Sequence, residues 1–310
     1  MKVTRQRDTK GFRKVKPIFL NHTDNKGSVV NGDVIDVLKR LNVEASFDVV
    51  IADPPYNIGK DFGNNKTKFD IDEYVLWMLK WLDLCFDRLK DNGLLYVYGF
   101  PEVIARIASK YPIERQRILA WHYTNKTTPS STFWQRSYES ILCLWRGSRP
   151  NLEIEQIREP YTEDFKKLNG KKRKGTSGRF GKGKDTVYTV NKKGALPRDV
   201  IKIPALAGGA GSVERWFLCR NCGNKLFPPF ELSNHAEHDV LKHPTQKPMK
   251  LTKRLILSRI NGQKGKILIP FAGSGSECVV AKQLGVEFLG IELNPEYVAF
   301  AKQWLAYNDV

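Results

Sequence analysis

The chain has 310 residues, and its 51 Lys and Arg residues outnumber its 33 Asp and Glu residues, which gives a formal net charge of +18 at pH 7. This length is enough for one large α/β core with an inserted module or for two modest domains. So basic a surface favours a polyanion, above all nucleic acid, as the partner, although charge alone also fits a merely basic soluble protein. No apolar run approaches the roughly 18 residues that a membrane span needs, so we expect no membrane partner.

The first 20 residues hold seven basic residues and one acid, and they lack the apolar stretch of a secretory signal. They predict a basic N-terminal arm, residues 1–20, on a cytoplasmic protein. The five cysteines, at positions 85, 143, 219, 222 and 278, are odd in number and scattered, which argues against a disulfide framework. Only Cys219 and Cys222 are close enough in sequence to suggest joint chemistry.

From residue 27 onward, short β-branched or apolar runs alternate with segments whose apolar residues recur at helical spacing. The run FDVVIA has consecutive apolar residues on both faces, as buried parallel strands do. Asn92-Gly93 is typical of a turn. In chain order the pattern predicts a strand from 27, a helix at 34–41, a strand at 47–52, a helix at 72–90, a strand at 94–100, a helix at 101–110, and strands at 115–124 and 137–145.

The alternation fades between about residues 151 and 242, where 166–184 carries nine basic residues and no acid. It then resumes with a helix at 249–260, a strand at 266–271, a helix at 277–285, a strand at 287–292 and a helix at 295–307. This order predicts an α/β fold, a Rossmann-like doubly wound, mostly parallel sheet with an inserted region. The predicted organisation is the arm, one half of the α/β domain at 21–150, the insertion at 151–242, and the second half at 243–310.

Two features near the end of the sequence indicate a nucleoside-binding crevice. FAGSG, residues 271–275, lies between a predicted strand and a predicted helix, where glycines let a ligand approach the backbone and a helix N-terminus. An ordinary tight turn between a strand and a helix could have the same sequence. Glu292 ends the next predicted strand, where an acid in a doubly wound sheet typically binds the ribose hydroxyls of a nucleoside cofactor. The loop lacks the third glycine of the dinucleotide fingerprint, so it need not hold a pyrophosphate.

Asp53-Pro54-Pro55-Tyr56 follows the predicted strand 47–52 at its carboxyl end, where open α/β sheets place ligands. Each proline fixes φ and removes an N–H, so the turn presents hydrogen-bond acceptors in a rigid frame without competing donors. Such a site suits an exocyclic amine, which would donate one N–H to the Asp53 carboxylate and the other to the Pro54 carbonyl. Tyr56 would stack on the face of the base.

Three motifs together, DPPY at 53–56, HPTQKP at 243–248 and the FxGxG loop, resemble the S-adenosylmethionine-dependent amino-methyltransferases of DNA. Their order, with DPPY ahead of the glycine loop and an insertion between them, resembles the permuted β class, whose members act on adenine N6 or cytosine N4. The resemblance covers about 21–150 and 243–310. It implies S-adenosylmethionine as cofactor and double-stranded DNA as partner, with the target base flipped out of the helix. A homodimer and a cognate restriction enzyme are possible further partners.

The resemblance also assigns roles to individual residues. Asp53, Pro54, Pro55 and Tyr56 would bind and activate the target amine. The residues that would bind the cofactor are Asp33, His243, Thr245, Lys247, Phe271, Gly273, Gly275 and Glu292. Taken singly, Asp33 could instead be a helix N-cap and His243 a turn histidine with satisfied hydrogen bonds.

The aspartate in DPPY favours adenine N6 within this family, so the sequence predicts a site-specific DNA methyltransferase acting on that amine, with cytosine N4 as the alternative. The family's glycine loop usually begins Asp-Pro-Phe, whereas this chain has Ile269-Pro270-Phe271. This departure keeps open a function of another class, that of a DNA-binding protein whose catalytic site is degenerate.

The insertion is predicted to be the target-recognition region. A disordered basic linker would fit 166–184 but not 197–232, which contains several aromatic residues. Cys219-Arg220-Asn221-Cys222-Gly223 looks like a zinc knuckle, and His235 and His238 would complete a Cys₂His₂ set for structural zinc. A pair of ordinary cysteines is the alternative.

Two loops are candidates for contact with the target base. The segment 57–69, polar and containing glycines, is predicted to close over the flipped base. The segment 127–136 precedes a predicted strand, and it either lines the target pocket or is an ordinary surface loop.

Overall fold

The computed structural model describes residues 27–41, 46–57, 69–125, 129–175, 177–178, 181–206, 214, 216–223, 225–226, 235–243, 245–262 and 264–307. The predicted basic arm lies outside the described residues, as does most of the loop predicted to close over the base. Within the described ranges, no helix combines the length and apolar character needed to cross a membrane.

The described ranges contain short strands, α-helices and two single turns of 3₁₀-helix, at Ile113–Arg115 and Ile154–Gln156. The strands are β1 (Gly27–Asn31), β2 (Phe47–Ala52), β3 (Leu89–Gly99), β4 (Gln116–His122), β5 (Tyr138–Trp145), β6 (Lys172–Arg173), β7 (Ser177–Gly178), β8 (Gly181–Lys182), β9 (Thr186–Val187), β10 (Val200–Lys202), β11 (Phe217–Cys219), β12 (Lys225–Leu226), β13 (Val240–Lys242), β14 (Lys266–Ile269) and β15 (Glu287–Glu292). The α-helices are α1 (Val34–Arg40), α2 (Ile71–Arg88), α3 (Pro101–Ala108), α4 (Glu163–Lys166), α5 (Met249–Leu257), α6 (Ser276–Gln283) and α7 (Pro295–Tyr307).

An eight-stranded sheet forms the centre of the fold, in the order β1-β15-β14-β2-β3-β5-β4-β10. In this sheet β5 is antiparallel to its neighbours β3 and β4, and all the other neighbouring strands are parallel to each other. The predicted mostly parallel α/β sheet is therefore confirmed. Because β1, β2, β14 and β15 are parallel, their carboxyl ends meet at one edge of the sheet.

Helices cover both faces of this sheet, as the doubly wound prediction requires. Alternate residues of β2 point to opposite faces: Val49 and Ile51 pack in the layer that contains residues of α5, α6 and α7. Val50 and Ala52 pack instead in the layer that contains residues of α1, α2 and α3. A strand with a hydrophobic layer on each side must be apolar at consecutive positions, which is the pattern seen in its sequence.

The predicted elements of the α/β domain are all present, and most of their ends agree within about three residues. One difference concerns Asn92-Gly93, predicted as a turn before the strand. The structure includes both residues in β3, which begins directly after α2 at Leu89. The pairing of β3 with β2 shifts register between Phe47 and Val49, and this irregularity absorbs the extra residues.

The insertion contributes one strand to the central sheet and also forms smaller sheets of its own. Its strand β10 is the edge strand beside β4, and Trp121 Nε1 on β4 donates a hydrogen bond of 2.8 Å to the Ile203 carbonyl just after β10. Further along, β12, β11 and β13 form a three-stranded antiparallel sheet. Two-stranded pairs join β6 to β9 and β7 to β8.

Candidate active site

A cleft of about 820 Å³, partly open to solvent, lies at the edge where the four parallel strands end. Each strand leads into a loop that lines it: Asp33 follows β1, Asp53 follows β2, Phe271 follows β14, and Glu292 ends β15. Predicted site residues that the structure brings together in the lining are Asp33, Asp53, Pro54, Pro55, His243, Thr245, Lys247, Phe271, Gly273 and Glu292. Tyr56 lies beside the cleft and is connected to it through Lys247.

The glycine loop and Glu292 are hydrogen bonded to each other. The Gly273 N–H donates to Glu292 Oε2 at 2.8 Å, and the Asn294 N–H donates to Oε1 at 2.8 Å. Burial raises the pKa of the Glu292 carboxyl, and these main-chain donors counteract the rise. Gly273 has φ of +51°, and a Cβ there would lie 2.6 Å from His243 Nε2. A side chain at this position would therefore fill the space where the loop meets the histidine.

Gly275, unlike Gly273, packs against a neighbouring helix. It is the N-cap of α6 with φ of +87°, and a Cβ there would lie 2.6 Å from the Cβ of Ala301 on α7. Its missing side chain permits close packing between α6 and α7. Gly275 is not among the residues that line the cleft, and its predicted contact with a cofactor stays a prediction.

Asp33 caps α1, as its alternative interpretation predicted, and it also lines the cleft. Its Oδ1 accepts hydrogen bonds from the main-chain N–H groups of Ile35 at 2.9 Å and Asp36 at 3.2 Å. Phe271 forms another part of the lining, with its ring centre 4.9 Å from that of Trp81. His243 packs edge-on against the Tyr297 ring at 4.8 Å. The cleft thus has an aromatic wall beside its polar loops.

Lys247 joins the two halves of the α/β domain at the DPPY turn. Its Nζ lies 2.8 Å from Asp53 Oδ1 and 3.5 Å from Glu139 Oε2, and its side chain is only 4% exposed. Glu139 also accepts a 2.7 Å hydrogen bond from the Tyr56 hydroxyl. The ammonium is 4.9 Å from the centre of the Tyr56 ring, within range of a cation–π interaction. Lys247 therefore contacts both Asp53 and Tyr56, and Glu139 binds Tyr56 and Lys247.

The pKa shifts in this cluster follow from burial and charge pairing. Burial raises the pKa of Asp53, and the ammonium of Lys247 opposes that rise. Burial by itself would lower the pKa of Lys247, but the carboxylates of Asp53 and Glu139 raise it above its ordinary value, so the side chain stays cationic. Burial and the neighbouring carboxylates raise the pKa of Tyr56 well above its usual range, which keeps the phenol protonated.

Sequence reasoning missed three residues of the site. Glu139 comes from the start of β5, and no motif surrounds it. Glu277, in the first turn of α6, is buried in the lining, and burial followed by the charge of Asp53 raises its pKa to about 7. Tyr74 on α2 donates a 2.7 Å hydrogen bond to the Pro55 carbonyl and so fixes the turn. An acid in a predicted buried strand or helix was the available signal for the two glutamates.

The ends of the loop predicted to close over the base are held together. Asn57 Nδ2 donates to the Phe69 carbonyl at 2.9 Å, and the Phe69 N–H donates to Asn57 Oδ1 at 2.8 Å. Asn57 has φ of +55°, a left-handed conformation that asparagine tolerates better than most residues. Residues 58–68 between them lie outside the described part of the chain.

The described part of the segment 127–136 lies next to the DPPY turn and carries exposed aromatic rings. The Arg136 guanidinium lies 4.5 Å from the centre of the Phe100 ring, which in turn packs edge-on against Tyr56 at 5.0 Å. Phe133 is 79% exposed and Trp134 is 87% exposed. Large apolar groups exposed side by side are typical of surfaces that contact a partner.

The four residues of the predicted zinc knuckle also come together, away from the cleft. Cys219, Cys222, His235 and His238 each offer one ligand atom, and these atoms all lie within 4.8 Å of one another.

Known proteins resemble this chain in sequence and in fold. The DNA adenine methyltransferase YhdJ of Escherichia coli (strain K12) is 27% identical over 275 residues, which are 87% of this chain and 80% of YhdJ. The cytosine-N4-specific PvuII DNA methyltransferase has a solved structure that matches with a TM-score of 0.60 at 17% identity, covering 92% of this chain and 88% of that one. The M1.HpyAVI–SAM complex matches with a TM-score of 0.52 at 17% identity, covering 90% and 98%. The structural matches show a shared fold.

The family assignment comes from the sequence itself. The model of the DNA methylase family matches residues 47–303, which include the DPPY turn, the histidine and lysine segment, the glycine loop and Glu292. These residues come from both halves of the α/β domain and converge on one cleft. The chain belongs to the DNA methylase family.

Proposed function

We propose that this protein transfers a methyl group from S-adenosylmethionine to the N6 amine of a flipped-out adenine in double-stranded DNA. The observation that carries the proposal is the shared cleft: the DPPY turn after β2 and the glycine loop after β14 line the same cavity. A nucleoside bound at the glycine loop and an amine bound at DPPY would therefore meet within one cleft, which is the main requirement for a methyl transfer between them.

The cofactor would occupy the part of the cleft bounded by the glycine loop. Glu292 would accept hydrogen bonds from its ribose hydroxyls, since each carboxylate oxygen has capacity beyond the main-chain donor it already binds. Asp33, His243, Thr245, Lys247 and Phe271 would complete the binding surface, with the absence of a side chain at Gly273 leaving room for approach. The M1.HpyAVI–SAM complex, which shares the fold, supports the choice of S-adenosylmethionine. This cofactor supplies a methyl group on a sulfonium, ready for transfer.

The chain's own residues would orient the amine and accept its proton. Asp53 and the Pro54 carbonyl would accept the two N–H groups, which draws the nitrogen lone pair out of conjugation with the base ring. Lys247 holds Asp53 through Oδ1 at 2.8 Å, so the acceptor is preorganised before the base arrives. The N–C bond would form as the S–C bond breaks, and the Asp53 carboxylate would take the proton released from nitrogen.

Adenine N6 is proposed over cytosine N4 because the tetrapeptide begins with aspartate and because YhdJ is an adenine methyltransferase. Cytosine N4 stays the second candidate, since the PvuII enzyme with the same fold is specific for that amine. Both amines donate two hydrogens, and the acceptor pair would bind either.

The insertion, residues 151–242, is proposed to recognise the target sequence, and Phe133 and Trp134 are proposed to stack on bases near the flipped nucleotide. Their exposure and the link through Arg136 and Phe100 to Tyr56 support contact with DNA at the mouth of the site. Stacking of an aromatic side chain on a base contributes about 1–3 kcal/mol without dependence on sequence.

The test is incubation of the protein with S-adenosylmethionine carrying a labelled methyl group and with unmethylated genomic DNA, followed by nucleoside analysis. We expect label in N6-methyl-2′-deoxyadenosine for the wild type and for Asp91→Asn, whose exposed carboxylate is on the distant end of β3. Asp53→Asn should reduce the rate at least 100-fold. Label in N4-methylcytosine would select the second candidate, and absence of Asp53-dependent label would indicate the degenerate DNA-binding protein.

A further inference from the structure

Four metal-ligating side chains converge outside the cleft. Cys219 Sγ lies 3.3 Å from His238 Nδ1, Cys222 Sγ lies 3.7 Å from His235 Nδ1, and the two Nδ1 atoms are 2.9 Å apart. Zinc bound tetrahedrally at about 2.3 Å to sulfur and about 2.0–2.1 Å to nitrogen would set sulfur and nitrogen about 3.6 Å apart, and two nitrogens about 3.3 Å apart. These three separations agree with this geometry to within about 0.4 Å, and all four ligand atoms lie within 4.8 Å of one another.

The backbone around the cysteines is already shaped for thiolate ligands. The Gly223 N–H donates a 2.9 Å hydrogen bond to the Cys219 carbonyl, which closes the turn that carries both cysteines. Gly223 follows with φ of +69° and no atom within 4 Å of a Cβ position, so the turn there needs glycine for its conformation and not for space. The turn holds Cys219 and Cys222 at the Cys-x-x-Cys spacing that structural zinc sites use.

The two halves of the cluster are held in place by main-chain pairing. Cys219 ends β11 and lies opposite Val240 of β13. The Arg220 N–H donates to the Asp239 carbonyl at 2.8 Å, and the Asp239 N–H donates to Asn221 Oδ1 at 2.9 Å. These contacts place the His235–His238 turn beside the cysteine turn.

We propose that Cys219, Cys222, His235 and His238 bind one zinc ion, and that this ion fixes the segment that delivers His243 and Lys247 to the cleft. The segment starts with β13, which follows directly after the second histidine and ends at Lys242. A metal that ties β11 to the start of β13 sets the position of the residues that come next. In this role the zinc is structural, because four protein ligands leave no open position for substrate.

Contacts beyond the cluster connect it to the cofactor side of the fold. Arg220, between the two cysteines, forms a 2.8 Å ion pair with Glu296 on α7. Trp216, just before β11, stacks on Trp304 of α7 with ring centres 4.3 Å apart. Gln246 Nε2 donates a 2.7 Å hydrogen bond to the Glu214 carbonyl. The small sheet therefore rests on the helix that packs behind the glycine loop, and the zinc would stabilise this arrangement.

Metal content tests the first part of the proposal. After exhaustive dialysis without chelator, elemental analysis of the full chain should give about one zinc per molecule. Cys222→Ser and His235→Asn should each retain less than a tenth of that amount, whereas Glu237→Gln, an exposed acid between the two histidines, should retain all of it. Cobalt substituted for zinc should give the visible absorption of tetrahedral coordination in the wild type. Cys222→Ser and His235→Asn should not show this absorption. This measurement needs no methyl transfer, so failure of the proposed function would not affect it.

Two outcomes would overturn the site: a reduced chain that takes up neither zinc nor cobalt, or ligand variants that keep their metal.

Amide hydrogen exchange tests the structural role. Loss of zinc in Cys222→Ser should increase exchange at least tenfold at residues 240–247 and leave β2 unchanged. Unaltered exchange at 240–247 in the metal-free variant would refute the link to the cleft.

Discussion

Lys247 interacts with three acids, Asp53, Glu139 and Glu277, whose side chains are buried or mostly buried. A buried ion pair costs desolvation on both sides, so it is weak evidence for added stability, and here we attribute its role to the geometry that it fixes. Here the geometry is that of Asp53 and Tyr56. The lysine and Glu139 hold both ends of the tetrapeptide in one arrangement before any substrate binds.

Glu277 gives the site a dependence on pH that can be measured as stability. Its pKa is raised to about 7 from 4.5, so between these values the folded protein holds a proton that the unfolded chain has released. The free energy of unfolding therefore falls as pH rises through this window. Glutamine keeps the shape of the neutral carboxyl and has no charge to bury. We expect Glu277→Gln to match the wild type near pH 4 and to exceed it at pH 8 by up to about 3 kcal/mol.

Urea unfolding of both proteins from pH 4 to pH 8 would measure this difference. Glu237→Gln, at an exposed position, serves as the control and should track the wild type at every pH. A constant gap between Glu277→Gln and the wild type, independent of pH, would contradict the assignment of the titration to Glu277.

The residues that sequence analysis found and missed differ in a physical way. Asp53 and Gly273 belong to loops whose residue types are constrained by local chemistry. The loop of Asp53 needs rigid prolines, and that of Gly273 needs a residue that tolerates a left-handed backbone. Glu139 and Glu277 sit in a regular strand and a regular helix, where any residue fits the backbone. Their importance arises from convergence on Lys247, which is 108 and 30 residues away in sequence. A local pattern can mark each glutamate as an acid in a buried element, but it does not show that the two converge on one lysine.

At the scale of elements, the packing of α6 against α7 is a consequence of Gly275. Gly275→Ala would place a side chain in a left-handed conformation, which costs about 1–2 kcal/mol, and would also drive it into Ala301. Gly262 has a similar φ of +78° but nothing within 4 Å of a Cβ, so Gly262→Ala isolates the conformational cost. We expect Gly275→Ala to lower the free energy of unfolding by at least 1 kcal/mol more than Gly262→Ala does.

Thermal or urea unfolding of the two variants would show this gap. Gly275→Ala should also weaken binding of S-adenosylmethionine, because α7 supports the glycine loop, while Gly262→Ala should bind it like the wild type. Equal destabilisation by the two changes would mean that α7 moves away at no cost.

The helices and strands of the α/β domain could be predicted because their hydrophobic patterns differ. Apolar residues recur about every 3.6 residues in a helix and form a continuous run in a buried strand. It did not predict β10, which is three residues long and has only Ile201 buried. Such a strand has no pattern of its own, and its place beside β4 depends on the sheet that it joins. The short strands of the insertion went unpredicted for the same reason.

At the scale of the whole molecule, the charge of +18 should make DNA binding strongly dependent on salt. Lys172 and Arg173 are exposed on β6 of the insertion, and replacing both with alanine should reduce the slope of log K against log[salt] by about 2 if each contacts a phosphate. Trp134→Ala removes no charge, so it should weaken binding at every salt concentration and leave the slope unchanged.

Fluorescence anisotropy with a labelled duplex over a series of salt concentrations would give the three slopes. A Lys172→Ala, Arg173→Ala variant with the wild-type slope would show that β6 makes no phosphate contact. A changed slope for Trp134→Ala would indicate that its effect is not stacking.

The pairing of β1 with β15 has a consequence for how the protein is made. Gly27 lies opposite Phe288, and Asn31 lies opposite Glu292, so the strand is synthesised some 260 residues before its partner. During that interval β1 has no neighbour in the sheet, and contacts so far apart in sequence form slowly. The side of the sheet that carries the glycine loop is therefore the last to assemble, and a nascent chain gains its complete cleft only after nearly all of the described residues have been synthesised.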